Sequence, residues 1–332
     1  MELLPLIWCG IIAFGVIMYV LLGGFDLGIG IMSIFVQDPK ERDLMFTTIL
    51  PVWDGNQTWL VFGGAALYGA FPLAFSTIMP IMYMPMLIMV IALLFRGISF
   101  EFRLKANKTK RVWEICIFLG SLFAIIAQGL TLGCFVQGFN LTTNAAGNYM
   151  PQWFTLFGVA CALGLICGYV LLGANFLIIK TTDRLQKNFY KISSMMQYCI
   201  LLGFIMVSVW SPYLDHNIKA RWFDPHNMPY LAILPILTLS FFGLHWWAIR
   251  NKREHLPFWC VIAMFILCYI GFIISSYPYI VPRSITYLDA AADRSSLLFM
   301  LMGACVMFPP LLYYTYHSYQ VFKGKVTEPF GY

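Results

Sequence analysis

Long apolar runs separated by short polar ones make up almost the whole chain. A helix needs about 20 mostly apolar residues to cross the hydrocarbon of a bilayer. Nine runs approach that length: Leu6–Ile34, Trp59–Phe75, Met79–Ile98, Val112–Phe135, Trp153–Ile179, Ile192–Trp210, Leu231–Ile249, Phe258–Ser276 and Leu297–Tyr319. The pattern predicts an all-α polytopic membrane protein of about nine transmembrane helices. The first run exceeds a minimal span, so its helix is expected to tilt or project. Pro80 and Pro85 in the third run, and Pro309-Pro310 in the ninth, predict kinks or early helix ends.

Composition agrees. The 332 residues are 60% hydrophobic and 11% charged, with a mean hydropathy of +0.76, more apolar surface than a soluble domain can cover. The net charge of +6 does not point to nucleic acid, because the basic residues sit in short loops between spans. The nine cysteines all fall in apolar segments without a C-x-x-C pair, and read as small hydrophobes rather than metal ligands or disulfides. The first residues lack the basic region and cleavage site of a signal peptide, so the first run reads as a retained span.

Lys and Arg set the orientation. Loops after odd-numbered spans carry Lys40 and Arg42; Arg103, Lys105, Lys108, Lys110 and Arg111; Lys180, Arg184, Lys187 and Lys191; Arg250, Lys252 and Arg253; and, in the tail, Lys323 and Lys325. Loops after even-numbered spans carry only Lys219, Arg221, Arg283 and Arg294. The N-terminus is expected outside and the C-terminus in the cytoplasm. An internal echo suggests a duplicated plan: Tyr19 to Phe25 (YVLLGGF) recurs as Tyr169 to Phe176 (YVLLGANF). Four crossings separate the copies, so both run the same way, as in parallel repeats. The division is then residues 1–136 as a first four-helix unit with the polar chemistry, 137–276 as a second, scaffold-like unit, and 277–332 as a ninth helix and tail.

The polar run Trp53-Asp54-Gly55-Asn56-Gln57 lies directly before the second span. Polar groups there are costly unless they face protein or water, which marks Asp54 as the centre of a candidate site. Asp26 late in span one, Arg96 and Glu101 at the end of span three, and Glu114 at the start of span four belong to the same side. Four carboxylates and an arginine at one depth, open to the cytoplasm, read as the mouth of a proton path. Each has a plainer reading. Asp54-x-x-Gln57 fits a capping box, Glu101 can pair with Lys105 four residues on, Arg96 can snorkel, and Glu114 can be merely exposed. Asp26 needs a partner, for which Arg96 is the candidate. Gly24-x-x-x-Gly28 and Gly30 offer a small-residue face for close helix packing. Haem needs an axial His, Met or Cys facing a cavity. Only His245 sits at membrane depth, and it reads as an interfacial residue. No catalytic nucleophile, metal cluster or phosphate-binding loop is evident.

Gly24-Phe25-Asp26-Leu27-Gly28-x-Gly30, then Trp53-Asp54-Gly55-Asn56-Gln57-x-Trp59, then Phe95-Arg96-Gly97-x-x-Phe100-Glu101-x-Arg103 resemble, in order and spacing, subunit II of the cytochrome bd-type quinol oxidases. The motifs cover the first third of the chain; the rest agrees in span count and hydropathy. The compact second half is similar to the cyanide-insensitive branch. The resemblance implies a complex in the bacterial cytoplasmic (inner) membrane that oxidises quinol, reduces dioxygen to water and takes protons from the cytoplasm without pumping. It implies a haem-carrying subunit I with haem b and haem d, and no haem on this chain. In some members it adds a structural quinone and a small single-helix subunit, with membrane lipid around the whole. Asp54, beside Trp53, matches the family's proton-uptake carboxylate; Asp26, Arg96, Glu101 and Glu114 match other charged positions, with Asn56 and Gln57 in support. Gly23 departs from the pattern, standing where many relatives have a second acid. A proton-coupled secondary transporter is the alternative. It should carry polar groups near the midplane between repeats, whereas these crowd one end of the first unit. A purely structural scaffold remains if Asp54 is only a cap.

Overall fold

The computed structural model describes residues 3–139 and 153–328. Apolar runs with good helix formers become long helices, and among the described residues eight are long and apolar enough to cross a membrane. They are α1 (Leu3–Ser33), α5 (Tyr83–Lys105), α6 (Lys110–Gln137), α7 (Leu156–Lys180), α8 (Asp183–Leu214), α11 (Ile233–Arg250, preceded by the single turn α10, Met228–Leu231), α12 (Leu256–Ser276) and α13 (Arg294–Val321). The expected second span differs. It is α3 (Trp53–Ala70), ended at Phe71 and followed by the separate short helix α4 (Pro72–Ile81). Its polar first turn, Asp54 to Gln57, removes it from the fully apolar class. The chain breaks again at Met82, so the expected third span starts at Tyr83 and places Pro85 within the first turn of α5, where a missing N–H costs little. The early end expected at Pro309-Pro310 does not occur, since α13 runs through both prolines.

Three elements went unread in the sequence. Helix α2 (Pro39–Ile49) starts at Asp38, whose side chain accepts from the Lys40 N–H at 2.9 Å, with Pro39 at the first helical position. Helix α9 (His216–Phe223) follows α8. A small antiparallel hairpin, β1 (Tyr279–Val281) with β2 (Ile285–Thr286), joins α12 to α13. The Ala292 N–H then closes onto the Ala70 carbonyl at 2.9 Å, fixing this hairpin over the end of α3.

The centre of the molecule is the contact between the two echo segments. Helices α1 and α7 lie against each other because their small residues let the backbones touch. A Cβ at Gly28 would land inside the Tyr169 carbonyl, one at Gly24 would strike the Tyr169 ring, and one at Gly173 would meet the Phe25 carbonyl. Phe25 and Phe176 stack with ring centroids 4.3 Å apart. Gln128 of α6 then joins the two copies: its Nε2 donates to the Tyr19 hydroxyl and its Oε1 accepts from the Tyr169 hydroxyl, both at 2.8 Å. The small-residue face expected on α1 is therefore used in full, with Gly30 turned to Ser121 of α6.

Candidate functional site

Helix α1 carries Asp26 into this centre, where it is fully buried. A buried carboxylate requires charge and hydrogen-bond partners, and three elements deliver them. From α5, Arg96 Nη2 donates to Asp26 Oδ1 at 3.1 Å. From α3, Asn56 Nδ2 donates to Asp26 Oδ2 at 3.3 Å and to the Leu22 carbonyl at 3.0 Å. From α13, the Tyr319 hydroxyl donates to Asn56 Oδ1 at 2.9 Å. Arg96 also gives Nε to Ser121 Oγ at 3.1 Å and lays its guanidinium 4.9 Å from the Phe100 ring centre. It is 1% exposed, so the snorkelling reading is overturned: Asp26 draws the arginine inward rather than water drawing it out. Gly120 makes room for it, since a Cβ there would press on Arg96 Cβ at 3.0 Å.

A second ionic group lies at the end of the bundle that carries the basic loops. Glu114 is 2% exposed, which overturns the reading of it as merely exposed. Three guanidiniums enclose it: Arg42 at 3.0 Å, Arg103 at 3.0 Å and Arg111 at 3.1 Å. Arg103 reaches across to Asp43 as well and rests over the Phe46 ring at 4.2 Å. Lys110 closes on Asp43 at 2.8 Å, and Arg42 donates to the Val36 and Gln37 carbonyls at 2.7 and 2.8 Å. Asp43 lies on α2, outside the spans. Burial raises its pKa, but hydrogen bonds and charge from Lys110 and Arg103 outweigh that and hold it below the ordinary carboxylate value.

The other two carboxylates stand elsewhere. Asp54 and Glu101 are exposed, and the expected Glu101–Lys105 pair is not among the ion pairs of the described residues. The four acids therefore do not form one cluster: two are buried in separate arginine-bound groups and two lie on the surface. Asp54 is not the cap of α3 either. Val52 occupies that position with no side-chain cap bond, so Asp54 sits one residue inside the helix. Trp53 ties this turn to α5, packing 3.2 Å from where a Gly97 Cβ would stand, with its ring 5.3 Å from that of Phe100. That contact sets the Asp54 turn beside the stretch of α5 that bears Glu101. On the other side, a Gly55 Cβ would lie 3.3 Å from the Tyr314 ring of α13. Gln57 turns both ends of its amide into the protein without a protein hydrogen-bond partner.

The second half holds a buried polar network of its own. His245 of α11 is fully buried, not interfacial. Its Nδ1 lies 2.9 Å from Gln197 Oε1, and its Nε2 lies 3.2 Å from Asn175 Nδ2 and 3.4 Å from Ser193 Oγ. Ser193 donates to Asn175 Oδ1 at 3.0 Å. Asn175 lies within the echo on α7, and Asp26 directly follows the echo on α1, so each of the two helices supplies a polar residue to a buried network. The first network is built on a carboxylate and a guanidinium, the second on an imidazole, two amides and a hydroxyl. Both ring nitrogens of His245 are engaged, which leaves neither for an axial bond to haem. Among the described residues, no three His, Cys, Asp or Glu side chains gather as metal ligands.

Sequence reading missed Arg42, Arg103 and Asp43 because they fall in segments that look like solvated loops. The Asp38-Pro39 start of α2 was the available signal. Tyr319 lies 263 residues from Asn56, and no local pattern announces that pairing.

Comparison with known proteins adds three findings. The sequence profile described as Cytochrome bd terminal oxidase subunit II matches residues 4–322. Cytochrome bd-I ubiquinol oxidase subunit 2 of Escherichia coli K12 is 26% identical over 98% of this chain and 96% of its own length. The corresponding figures are 28%, 99% and 97% for the Probable cytochrome oxidase subunit 2 of Haemophilus influenzae. They are 26%, 98% and 98% for Cytochrome bd ubiquinol oxidase subunit 2 of Bacillus subtilis. In three dimensions the fold is similar to a chain of the bd oxidase from Geobacillus thermodenitrificans, with a TM-score of 0.78 at 17% identity, over 97% of this chain and 99% of that one.

Proposed function

The chain belongs to the cytochrome bd terminal oxidase subunit II family, and from that premise we propose that it is the haem-free companion of a haem-carrying subunit I. The complex oxidises two quinols and reduces one dioxygen to two waters, taking the four protons for water from the cytoplasm without pumping. Haem b and haem d, held by subunit I, supply electron transfer and dioxygen reduction. This chain supplies protons and mechanical support. Its basic loops face the cytoplasm, with the N-terminus on the opposite side.

The observation that carries the proton-uptake reading is the placing of Asp54. It is an exposed carboxylate at the basic end, on a helix turn fixed by Trp53 against α5, directly before the Asn56 that bonds Asp26. Asp54 and Glu101 serve as the entry acids. Asp26 with Arg96 and Asn56 forms the buried station behind them. Glu114, under three arginines, fixes the hairpin of α5 and α6 together with α2 at the mouth, and Gln57 lends its amide to the same turn of α3. The facing echoes on α1 and α7 support two parallel four-helix units, residues 1–136 and 137–276, followed by the ninth helix and tail.

A cavity of about 440 Å³ between α8, α9, α11 and α12 suits a structural quinone. Phe204, Val207, Leu267 and Phe272 give it apolar walls, while Thr238 and Trp222 add polar groups. The apolar walls suit an isoprenoid chain, and Asp215, Arg221 and Arg283 make one part of the lining charged, where a polar head group would lie.

The test is to purify the tagged chain from its native membrane in mild detergent and record subunit composition with a reduced-minus-oxidised spectrum. A larger co-purifying membrane subunit with haem b and haem d bands is expected. A single colourless polypeptide, stable alone, overturns the reading and favours the transporter alternative.

A further inference from the structure

We propose that Tyr319 is a positioning residue for the buried Asp26 station, and that the C-terminal strap sets its depth. Its bearing on turnover rests on the proton-uptake reading above. Asn56 has two N–H groups and one acceptor. The N–H groups go to the Leu22 carbonyl and Asp26 Oδ2, and among the described residues the acceptor is filled by the Tyr319 hydroxyl, at 2.9 Å. Turning the amide over would place Oδ1 against a carbonyl and a carboxylate while depriving Tyr319 of its acceptor. Tyr319 thus completes the one arrangement in which every polar atom of Asn56 is satisfied. Its ring also stands edge-on to Phe25, the neighbour of Asp26, with centroids 6.3 Å apart.

What holds Tyr319 at that depth is not α13 alone. Only 6% of the most apolar stretch of that helix is buried within the chain. Directly after it, the tail is lashed to other elements. Lys180 at the end of α7 gives Nζ to the Phe322 carbonyl and accepts the Val326 N–H on its own carbonyl at 2.8 Å. Lys325 Nζ reaches Glu254 Oε1 at 2.7 Å and the Thr181 carbonyl at 3.2 Å. Gln186 of α8 donates to the same Glu254 oxygen at 2.8 Å. The strap therefore pins the last turn of α13 to the end of α7 and to Glu254, and Tyr319 carries that constraint to Asn56.

The test uses the assembled complex with Tyr319→Phe, Asn56→Leu, the double variant, Lys325→Ala on the exposed strap, and Tyr313→Phe as a control on the same helix. Turnover per haem is compared with the KM for quinol. Tyr319→Phe should lower kcat about tenfold, the effect of losing roughly 1.4 kcal/mol of orientation, with KM and haem content unchanged. Lys325→Ala should give a smaller fall of the same kind, and Tyr313→Phe none. The double variant should be no slower than Asn56→Leu alone, since the two residues act through one bond. Unchanged kcat in Tyr319→Phe, or losses that simply multiply in the double variant, would overturn the proposal. Where Tyr319→Phe fails to assemble, an unchanged kcat in Lys325→Ala overturns it equally. Normal turnover in Asp54→Asn beside a lowered kcat in Tyr319→Phe removes the uptake reading and keeps the positioning role.

Discussion

Replacing Arg96 by Met keeps most of the aliphatic stem and removes the guanidinium. Arg96 and Asp26 are 1% and 0% exposed, so the carboxylate left behind has no charge partner and no bulk water. Breaking a buried pair from one side costs about 3–5 kcal/mol. The lost bond to Ser121 adds about 1 kcal/mol, and the contact over Phe100 contributes a further ~1 kcal/mol. The double variant Asp26→Leu/Arg96→Met removes both charges, and such swaps are often neutral or better by about 1–4 kcal/mol. The single change should therefore be much worse than the double. The two should differ by about 3 kcal/mol, roughly a hundredfold in an equilibrium constant. Unfolding of the purified complex, followed by tryptophan fluorescence in a graded detergent series, reads this difference. Equal destabilisation by Arg96→Met and by the double variant would refute the ion-pair reasoning, because it would mean that Asp26 gains nothing from Arg96.

Three further outcomes follow from the same geometry. Gly28→Ala should drive α1 from α7, costing about 1–3 kcal/mol or more and lowering the yield of assembled complex, whereas Gly10→Ala, with no atom within 4 Å of the new methyl, should stay within about 0.5 kcal/mol of the parent; detergent unfolding compares them. Asp43 is held below its ordinary value of 3.8 in the folded state, so its stabilisation is present above that value and lost as pH falls through the folded one; Asp43→Asn should be less stable than the parent at neutral pH and lose less on acidification below about pH 4, read by unfolding midpoints across pH. Organic extraction of the purified complex should yield quinone, and Thr238→Phe, which fills the cavity between α8 and α12, should lower that yield with haem content retained.

The helices were legible because a run of about 20 apolar residues has few alternatives in a membrane. Their packing was legible only where small residues repeat, as at Gly24 and Gly28 against Tyr169. The second span was found but its bounds shifted: apolar length starts it at Trp59, whereas α3 takes in the polar turn of Asp54 to Gln57 and ends at Ala70. The Asp26–Arg96 partnership could be foreseen, since a lone charge in an apolar helix demands an opposite one. The separation of Glu114 from Asp26 could not, because it depends on α2, whose Arg42 and Asp43 look like loop residues until the helix folds back under α5 and α6. His245 misled for a related reason: its partners Asn175, Ser193 and Gln197 lie on two other helices, and each alone looks like an isolated polar residue in a span.

Asp54→Asn in the assembled oxidase tests the central claim most directly, because the change removes one exposed carboxylate and spares both buried arginine groups. The account predicts a steep fall in oxygen uptake at full haem content. Near-normal oxygen uptake at the same haem content would contradict it.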